Sequence, residues 1–490
     1  MAAGTFVWSL AGAAVVLLLC IFIPRWFCGY ACPLGTIIDL FDWSIGRRIN
    51  RFRLNKRGWW VNLRYYTMII ILAAAAFGIL LSGFVAAIAV VTRGMMFIFA
   101  PLQLGLLKGW NSVPSMNVGQ YISITLFLGL LCLGLLGPRF WCNYVCPTGA
   151  VISLASVLRL RQRKVESTCI ECGRCISICP FDAIKKDYST RSINCATCRS
   201  CRGVCPKQSI KFVSRWNNVN LKPQTQEPAV RLSTSRRRFL FGSIAAIGGG
   251  TAAGKGLLLE RAKHTESYPV RPPGSLPEDR FRSQCVRCGQ CLKSCTGNIL
   301  QPAGLGLGID ALWTPRAITD RSGCMPLCNN CGRACPTGAI RELPLEEKRA
   351  ARMGLAQVNK NTCLPYAQQG DCGLCVNECA AAGYNAIEFI RIESQMGGGD
   401  APVEDSGYLA PVVIEEKCVG CGLCQARCQA ANVKDKKLLD ESAIKVSAGP
   451  GKEDRIATGS YIVLRNERLE RIKQQQPKAP QNSYLPDFLQ

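Results

Sequence analysis

Cys169-Ile170-Glu171-Cys172-Gly173-Arg174-Cys175-Ile176-Ser177-Ile178-Cys179-Pro180 carries four cysteines in the pattern C-x₂-C-x₂-C-x₃-C-P. Three thiolates at this spacing wrap one loop round three corners of a [4Fe–4S] cube, and the fourth reaches across to a second cube. The pattern returns at Cys195, Cys198, Cys201 and Cys205, with Pro206 behind it. By that rule Cys205 joins Cys169, Cys172 and Cys175, while Cys179 joins Cys195, Cys198 and Cys201. Zinc ribbons and disulfide scaffolds also use cysteine pairs, but paired four-cysteine runs with a trailing proline specify a two-cluster ferredoxin.

Four more sets follow. Cys285, Cys288, Cys291 and Cys295 keep the spacing with Thr296 in place of proline. Cys324, Cys328, Cys331 and Cys335 open with three residues instead of two, and Pro336 follows. Cys363 precedes Cys372, Cys375 and Cys379 in a stretched set, and Cys418, Cys421, Cys424 and Cys428 are regular again. Six sets imply six [4Fe–4S] clusters. The chain has 30 cysteines and one histidine, His264, with no C-x-x-C-H, so c-type haem and bis-histidine haem within the chain are excluded. Gly248–Gly250 and Gly397–Gly399 lack the strand–turn–helix setting of a nucleotide fingerprint.

Of the other six cysteines, Cys28 and Cys32 lie in Phe27-Cys28-Gly29-Tyr30-Ala31-Cys32-Pro33-Leu34-Gly35. Cys142 and Cys146 repeat this C-x₃-C-P in Trp141-Cys142-Asn143-Tyr144-Val145-Cys146-Pro147-Thr148-Gly149. On a helical turn both thiols of such a pair point the same way. Two readings stand: the pairs hold a redox centre or line a quinone site, or they are buried thiols that stabilise helix ends. Cys20 and Cys132 lie in apolar spans and read as packing residues.

Three stretches are apolar for long enough to cross a hydrocarbon layer of ~30 Å: about Phe6–Ile23, Tyr66–Val91 and Tyr121–Leu136. Met95–Leu107 reads as a shorter, proline-broken piece, re-entrant or interfacial. Residues 1–260 hold 30 Lys and Arg against 8 Asp and Glu, and residues 261–490 hold 29 against 25. The basic runs (Arg25, then Arg47 to Arg64, and Arg139 to Lys164) flank apolar spans, which is the positive-inside pattern and not that of a nucleic-acid binder. They place the N-terminus outside. Ser235-Arg236-Arg237-Arg238-Phe239-Leu240, opening a Gly-rich apolar segment to Leu259, fits a twin-arginine export signal, with a plain fourth span as the alternative. The expected fold class is an α-helical transmembrane domain plus two α+β polyferredoxin modules. Its parts are residues 1–164 in the membrane, 165–215 as a cytoplasmic two-cluster ferredoxin and 216–264 as linker and signal or anchor. Residues 265–440 follow as a periplasmic four-cluster ferredoxin, with 441–490 a Gln-rich, poorly ordered tail.

At these motifs residues 1–215 resemble a NapH-type quinol dehydrogenase subunit, with spans bearing two C-x₃-C-P motifs before a cytoplasmic two-cluster ferredoxin. Residues 235–435 resemble its partner NapG, a twin-arginine-exported four-cluster ferredoxin of the MauM/NapG type, including the stretched Cys363…Cys372 set. The MauM/MauN pair and NosR-like membrane ferredoxins share parts of the pattern. Two departures stand out: the halves are fused, and the family's first span has no counterpart here. The resemblance implies that the second module's first and fourth sets share ligands, as do its middle two. It also implies a multi-pass protein of the bacterial inner membrane that oxidises quinol and feeds a periplasmic redox partner. The alternatives are a carrier or assembly subunit that does not itself touch quinol, and a conduit running inward.

Overall fold

The computed structural model describes residues 3–46, 59–110, 115–217, 236–263, 268–392 and 407–475, with Arg48, Val113, Leu221 and Lys222. Most of the basic run Arg47–Arg57, most of the linker, Ser235 and residues 476–490 lie outside them.

The first domain is built of helices α1 (Ala3–Phe22), α2 (Pro33–Phe41), α3 (Leu63–Ala76), α4 (Ala87–Lys108), α5 (Val118–Cys132) and α6 (Pro147–Ala155). Pro33 and Pro147 each open a helix at its first position, where the missing N–H costs nothing. Asn117 and Gln120 close a reciprocal capping box on α5. Ala87–Leu107 and Val118–Leu136 are long and apolar enough to cross a membrane; Ala11–Phe22, Trp60–Ala76 and Pro147–Leu158 are shorter apolar helices. The span expected at Tyr66–Val91 is corrected. Helix α3 stops at Ala76 and the chain turns through Gly78 at φ +75°, a conformation that glycine adopts without a Cβ clash. The stretch Met95–Leu107 then belongs to α4, with Pro101 inside it.

The first ferredoxin module is closed by an antiparallel pair, β1 (Arg161–Val165) on β2 (Ile210–Ser214), in register from Arg161↔Ser214 to Val165↔Ile210. Its core holds Cys175, Ile184, Cys201 and Ile210. The chain then crosses to the second module through α7 (Arg236–Lys263). That module has two cores. The first, around Phe281, Ile299, Trp313 and Ile340, carries β3 (Leu300–Pro302) paired with β4 (Pro315–Ala317). In the second, around Leu355, Ile387, Val419 and Ile444, β5 (Leu355–Val358) pairs with β8 (Ile444–Ser447) and β6 (Ile387–Ile392) with β7 (Tyr408–Val413). The Gln-rich end of the expected tail, residues 476–490, lies outside the described residues, but for 441–475 the expectation of a tail is corrected. That stretch supplies β8 and helix α8 (Tyr461–Gln475), whose Tyr461 is fully buried against Leu343, Ala350 and Ala351. An apolar anchor outweighs the polar composition around it.

A buried carboxylate ties the second module together. Glu278 accepts from Arg271 and Arg282 at 2.6 Å each and pairs with Arg455, so the C-terminal segment is pinned to the module's first helix.

The two modules meet the helical domain on different residues. The first docks on Arg64, whose Nη2 donates to Asn194 Oδ1 at 2.9 Å, and on Tyr144, whose hydroxyl donates to Asp182 at 3.1 Å. The second docks on Leu80, Arg93 and Gly119: Arg287 donates to the Leu80 carbonyl at 2.7 Å, Arg93 to the Arg287 carbonyl at 3.0 Å, and the Trp313 indole to the Gly119 carbonyl at 2.6 Å. Arg64 lies in the first turn of α3 and Leu80 four residues beyond its last, and the helix between them is about 20 Å long at 1.5 Å per residue. Helix α7 lies along α3 in the same direction. Gly242 faces Tyr66, Gly250 faces Ile70 and Ala73, and Gly254 faces Phe77, each close enough that an added Cβ would strain the contact.

Candidate metal centres

In the first module two voids lie side by side, with Arg163 lining both. Cys169, Cys172, Cys175 and Cys205 ring the first; Cys179, Cys195, Cys198 and Cys201 ring the second. Each fourth cysteine has crossed to the other set's void, as the spacing implies.

The second module repeats the crossing in a different order from the one the resemblance implies. Cys335 joins Cys285, Cys288 and Cys291 round one void. Cys428 joins Cys363, Cys372 and Cys375 round another. The thiol of Cys331 is surrounded by Cys324, Cys295 and Cys328, and that of Cys424 lies near Cys421, Cys418 and Cys379, with Cys375 of the neighbouring ring also close. Thus the first and second sets share ligands, as do the third and fourth; first-with-fourth pairing is corrected. The short connectors from Cys295 to Cys324 and from Cys379 to Cys418 close smaller loops than nested pairing needs, at a smaller entropic cost. The two halves touch where the Cys324 N–H donates to the Cys421 carbonyl at 2.7 Å.

The loops explain how a ring forms. In the four regular sets the residue before the second cysteine and the residue after it both take positive φ: Glu171 and Gly173, Thr197 and Arg199, Arg287 and Gly289, Gly420 and Gly422. Alternating handedness turns successive N–H groups toward one side and makes an anion-binding nest. The irregular sets depart: Asn329 sits at φ −126° and Gly373 at φ −114°. Among the described residues no three His, Cys, Asp or Glu side chains close on a single-ion site.

Polar atoms near the rings suit an anionic cluster. Arg163 lines both voids of the first module and is buried, with Nε and Nη2 lacking a partner. Backbone N–H groups of Ala183, Ile340 and Ala386 donate to the sulfurs of Cys179, Cys335 and Cys379 at 3.2–3.4 Å. Burial pushes the Cys195 thiol up to about 11, and burial with neighbouring thiols pushes Cys331, Cys375 and Cys421 up to about 12. Without metal these thiols stay protonated at neutral pH, so binding iron must displace protons. The residues present therefore fit [4Fe–4S] clusters.

The two C-x₃-C-P motifs, far apart in sequence, come together. Cys32, Cys142 and Cys146 share one core, and the Cys142 thiol is pushed up by burial and by Cys146, Cys32 and Cys28. The motifs match turn for turn. Cys32 N–H donates to the Phe27 carbonyl at 2.8 Å and Cys146 N–H to the Trp141 carbonyl at 2.9 Å, a five-residue reach in each. Three residues before each first cysteine stands an arginine with positive φ, Arg25 at 53° and Arg139 at 48°. Each crosses to the other copy: Arg25 donates to the Cys142 carbonyl at 3.2 Å and Arg139 to the Cys28 carbonyl at 2.7 Å. Both guanidinium groups lie over the ring of Phe181 in the first ferredoxin module, at 5.0 and 4.6 Å. Sequence reading passed over Arg25, Arg139 and Arg163 as topological charges; the matched position of the first two in the repeat was the signal available.

The 4Fe-4S binding domain family matches residues 5–52, and the LdpA Fe-S cluster-binding domain family matches residues 138–190. The methylamine utilization ferredoxin-type protein MauM of Methylorubrum extorquens is 34% identical over 220 residues, 44% of this chain and 89% of that protein. The ferredoxin-type protein NapG of Escherichia coli is 33% identical over 215 residues, 43% of this chain and 84% of that protein. The ferredoxin-type protein NapF of Escherichia coli is 28% identical over 182 residues, 37% of this chain and 93% of that protein. No solved structure gives a significant match.

Proposed function

The chain belongs to the family of ferredoxin-type proteins that includes MauM and NapG, and on that premise we propose that it conducts electrons from membrane quinol to an acceptor outside the cytoplasm. The observation that carries this reading is the placement of cysteine rings at both ends of an apolar helical domain. The 24 cysteines of the six sets hold six [4Fe–4S] clusters, which supply one-electron transfer when bound. The protein's part is to supply thiolates, exclude water with apolar walls and set potentials with N–H groups and buried arginines.

Membrane embedding is supported by large apolar side chains left exposed along the helices, among them Leu18, Phe22, Leu72, Phe99, Leu106 and Leu128. Helix α7, running beside α3 from the first-module end to the second-module end, supports a crossing at that point. Arg236 and Arg237 then serve the twin-arginine export machinery, which carries folded domains, and the segment stays as an anchor. The first module lies in the cytoplasm and the second in the periplasm, where a redox partner protein receives the electrons.

The test is reconstitution of anaerobically purified full chain in lipid vesicles with a short-chain quinol. Bleaching of cluster absorbance by the quinol is expected. Bleaching by dithionite alone would assign the chain to the carriers that do not touch quinol. Stoichiometric zinc with little iron would sink the reading altogether.

A further inference from the structure

Cys28, Cys32, Cys142 and Cys146 are the one convergence of four cysteines, among the described residues, that the six rings do not use. We propose that they hold a seventh iron–sulfur cluster, contributed half by each copy of the repeat and lying between the two ferredoxin modules. This rests on the iron–sulfur reading of the chain and not on the quinol reading.

Three cysteines in one core, with Cys28 at its edge beside Phe27, make up the four-thiol ligand complement of a [4Fe–4S] cluster. The matched backbone turns and the crossed arginines relate the two halves so that each brings one pair of thiols to a shared place. Buried thiols that merely packed helix ends would need no buried cations beside them. Arg25 is fully buried, and among the described residues its Nη atoms donate to neutral acceptors: Asn143 Oδ1 at 3.4 Å, the Asn194 carbonyl at 3.2 Å and the Cys142 carbonyl. Its Nε has no partner, and neither has the buried indole N–H of Trp141, next to Cys142. A buried cation is costly without a counter-charge. Four thiolates on a cluster supply that charge and give the stranded donors an acceptor.

The site has a neighbour on each side. Toward the first module, Cys28 packs with Cys179 and Cys195 around Phe181, Ala183 and Ala196. Toward the second, Val90 and Val91 pack in the tetrad's core, and in the next turns of α4 Thr92 donates to the Cys288 carbonyl at 2.9 Å and Met96 abuts Gly289. Val90 to Met96 spans about 9 Å of helix rise. A cluster here would exchange single electrons with the ring of Cys179 or the ring of Cys288, one centre oxidised as the other is reduced, with no proton moved.

The experiment compares full-length wild type with the quadruple variant Cys28→Ser, Cys32→Ser, Cys142→Ser, Cys146→Ser, purified anaerobically in detergent. At about four irons per cluster, wild type is expected to carry about 28 and the variant about 24, with the EPR signals of the other six clusters intact. Rapid electron exchange between the modules should be lost in the variant. Equal iron in both proteins overturns the site, whatever the total. A wild-type count of about 24 overturns it as well, even if the variant misfolds. A difference of about four irons with exchange unimpaired overturns the bridging position. Low iron in both with a difference of about four would instead count against the six-ring reading and leave the tetrad standing.

Discussion

Arg139 donates from Nη1 to the Cys28 carbonyl at 2.7 Å, while its Nε holds Asp39 at 2.8 Å, so one side chain links the second copy of the repeat to the first. Lysine has the charge but not the planar fork that serves both acceptors. Arg139→Lys should therefore loosen the pairing of the motifs by about 1–3 kcal/mol, the usual cost of stranding buried hydrogen-bond groups. Thermal unfolding in detergent, with Arg161→Lys at the exposed first position of β1 as control, measures it.

Ligand sharing can be read from non-additivity. Cys335→Ser and Cys285→Ser should each remove the same EPR signal, and the double variant should lose no more than either alone. Cys335→Ser combined with Cys295→Ser, from two different rings, should lose two signals. Loss of two signals from Cys335→Ser combined with Cys285→Ser would restore the nested pairing.

Arg163 stands between both voids of the first module. Replacing it with Gln removes a buried positive charge next to two centres whose reduction adds negative charge. Both midpoint potentials should fall by tens of millivolts, about 59 mV being a tenfold change for one electron. A redox titration followed by EPR checks this. The second module's potentials should not move.

Glu278 sets a pH limit. Burial alone would raise its pKa, but Arg271, Arg455 and Arg282 together hold it well below the usual carboxylate range. A depressed folded-state pKa contributes stability that is fully present above the unfolded value of about 4.3 and is lost as pH falls through the folded one. Glu278→Gln should cost about 3–5 kcal/mol near neutral pH, because three guanidinium groups stay buried without their anion. The gap between wild type and variant, followed by denaturant unfolding, should narrow in acid.

The export reading is testable through arginine itself. Arg236→Lys with Arg237→Lys keeps the charge but loses the guanidinium, and should leave the second module in the cytoplasm. Protease added to spheroplasts should digest the wild-type second module and spare the variant's. Equal digestion would make α7 an ordinary span.

The ferredoxin spacing is a local signal, and so the rings and the crossing of Cys179 and Cys205 were legible from sequence. Ligand sharing in the second module was not, because it depends on which connectors fold back first, and the resemblance pointed the wrong way. Hydropathy merged α3 with the start of α4 because it cannot see one left-handed turn at Gly78. Composition likewise hid Tyr461, a single anchor inside a polar segment. The convergence of Cys28, Cys32, Cys142 and Cys146 is a tertiary fact; only the repeat hinted at it.

Consecutive pairing in the second module has a consequence for how the protein is made. Cys285 to Cys335 supplies every thiolate of one two-ring unit, and Cys363 to Cys428 every thiolate of the other. Each unit is thus complete when its own segment leaves the ribosome, and its low contact order favours quick closure. Nested pairing would have kept the earliest cysteines waiting, open to oxidation, until the last were translated. With consecutive pairing, cofactor insertion can keep step with synthesis, and damage to one unit need not strand the ligands of the other.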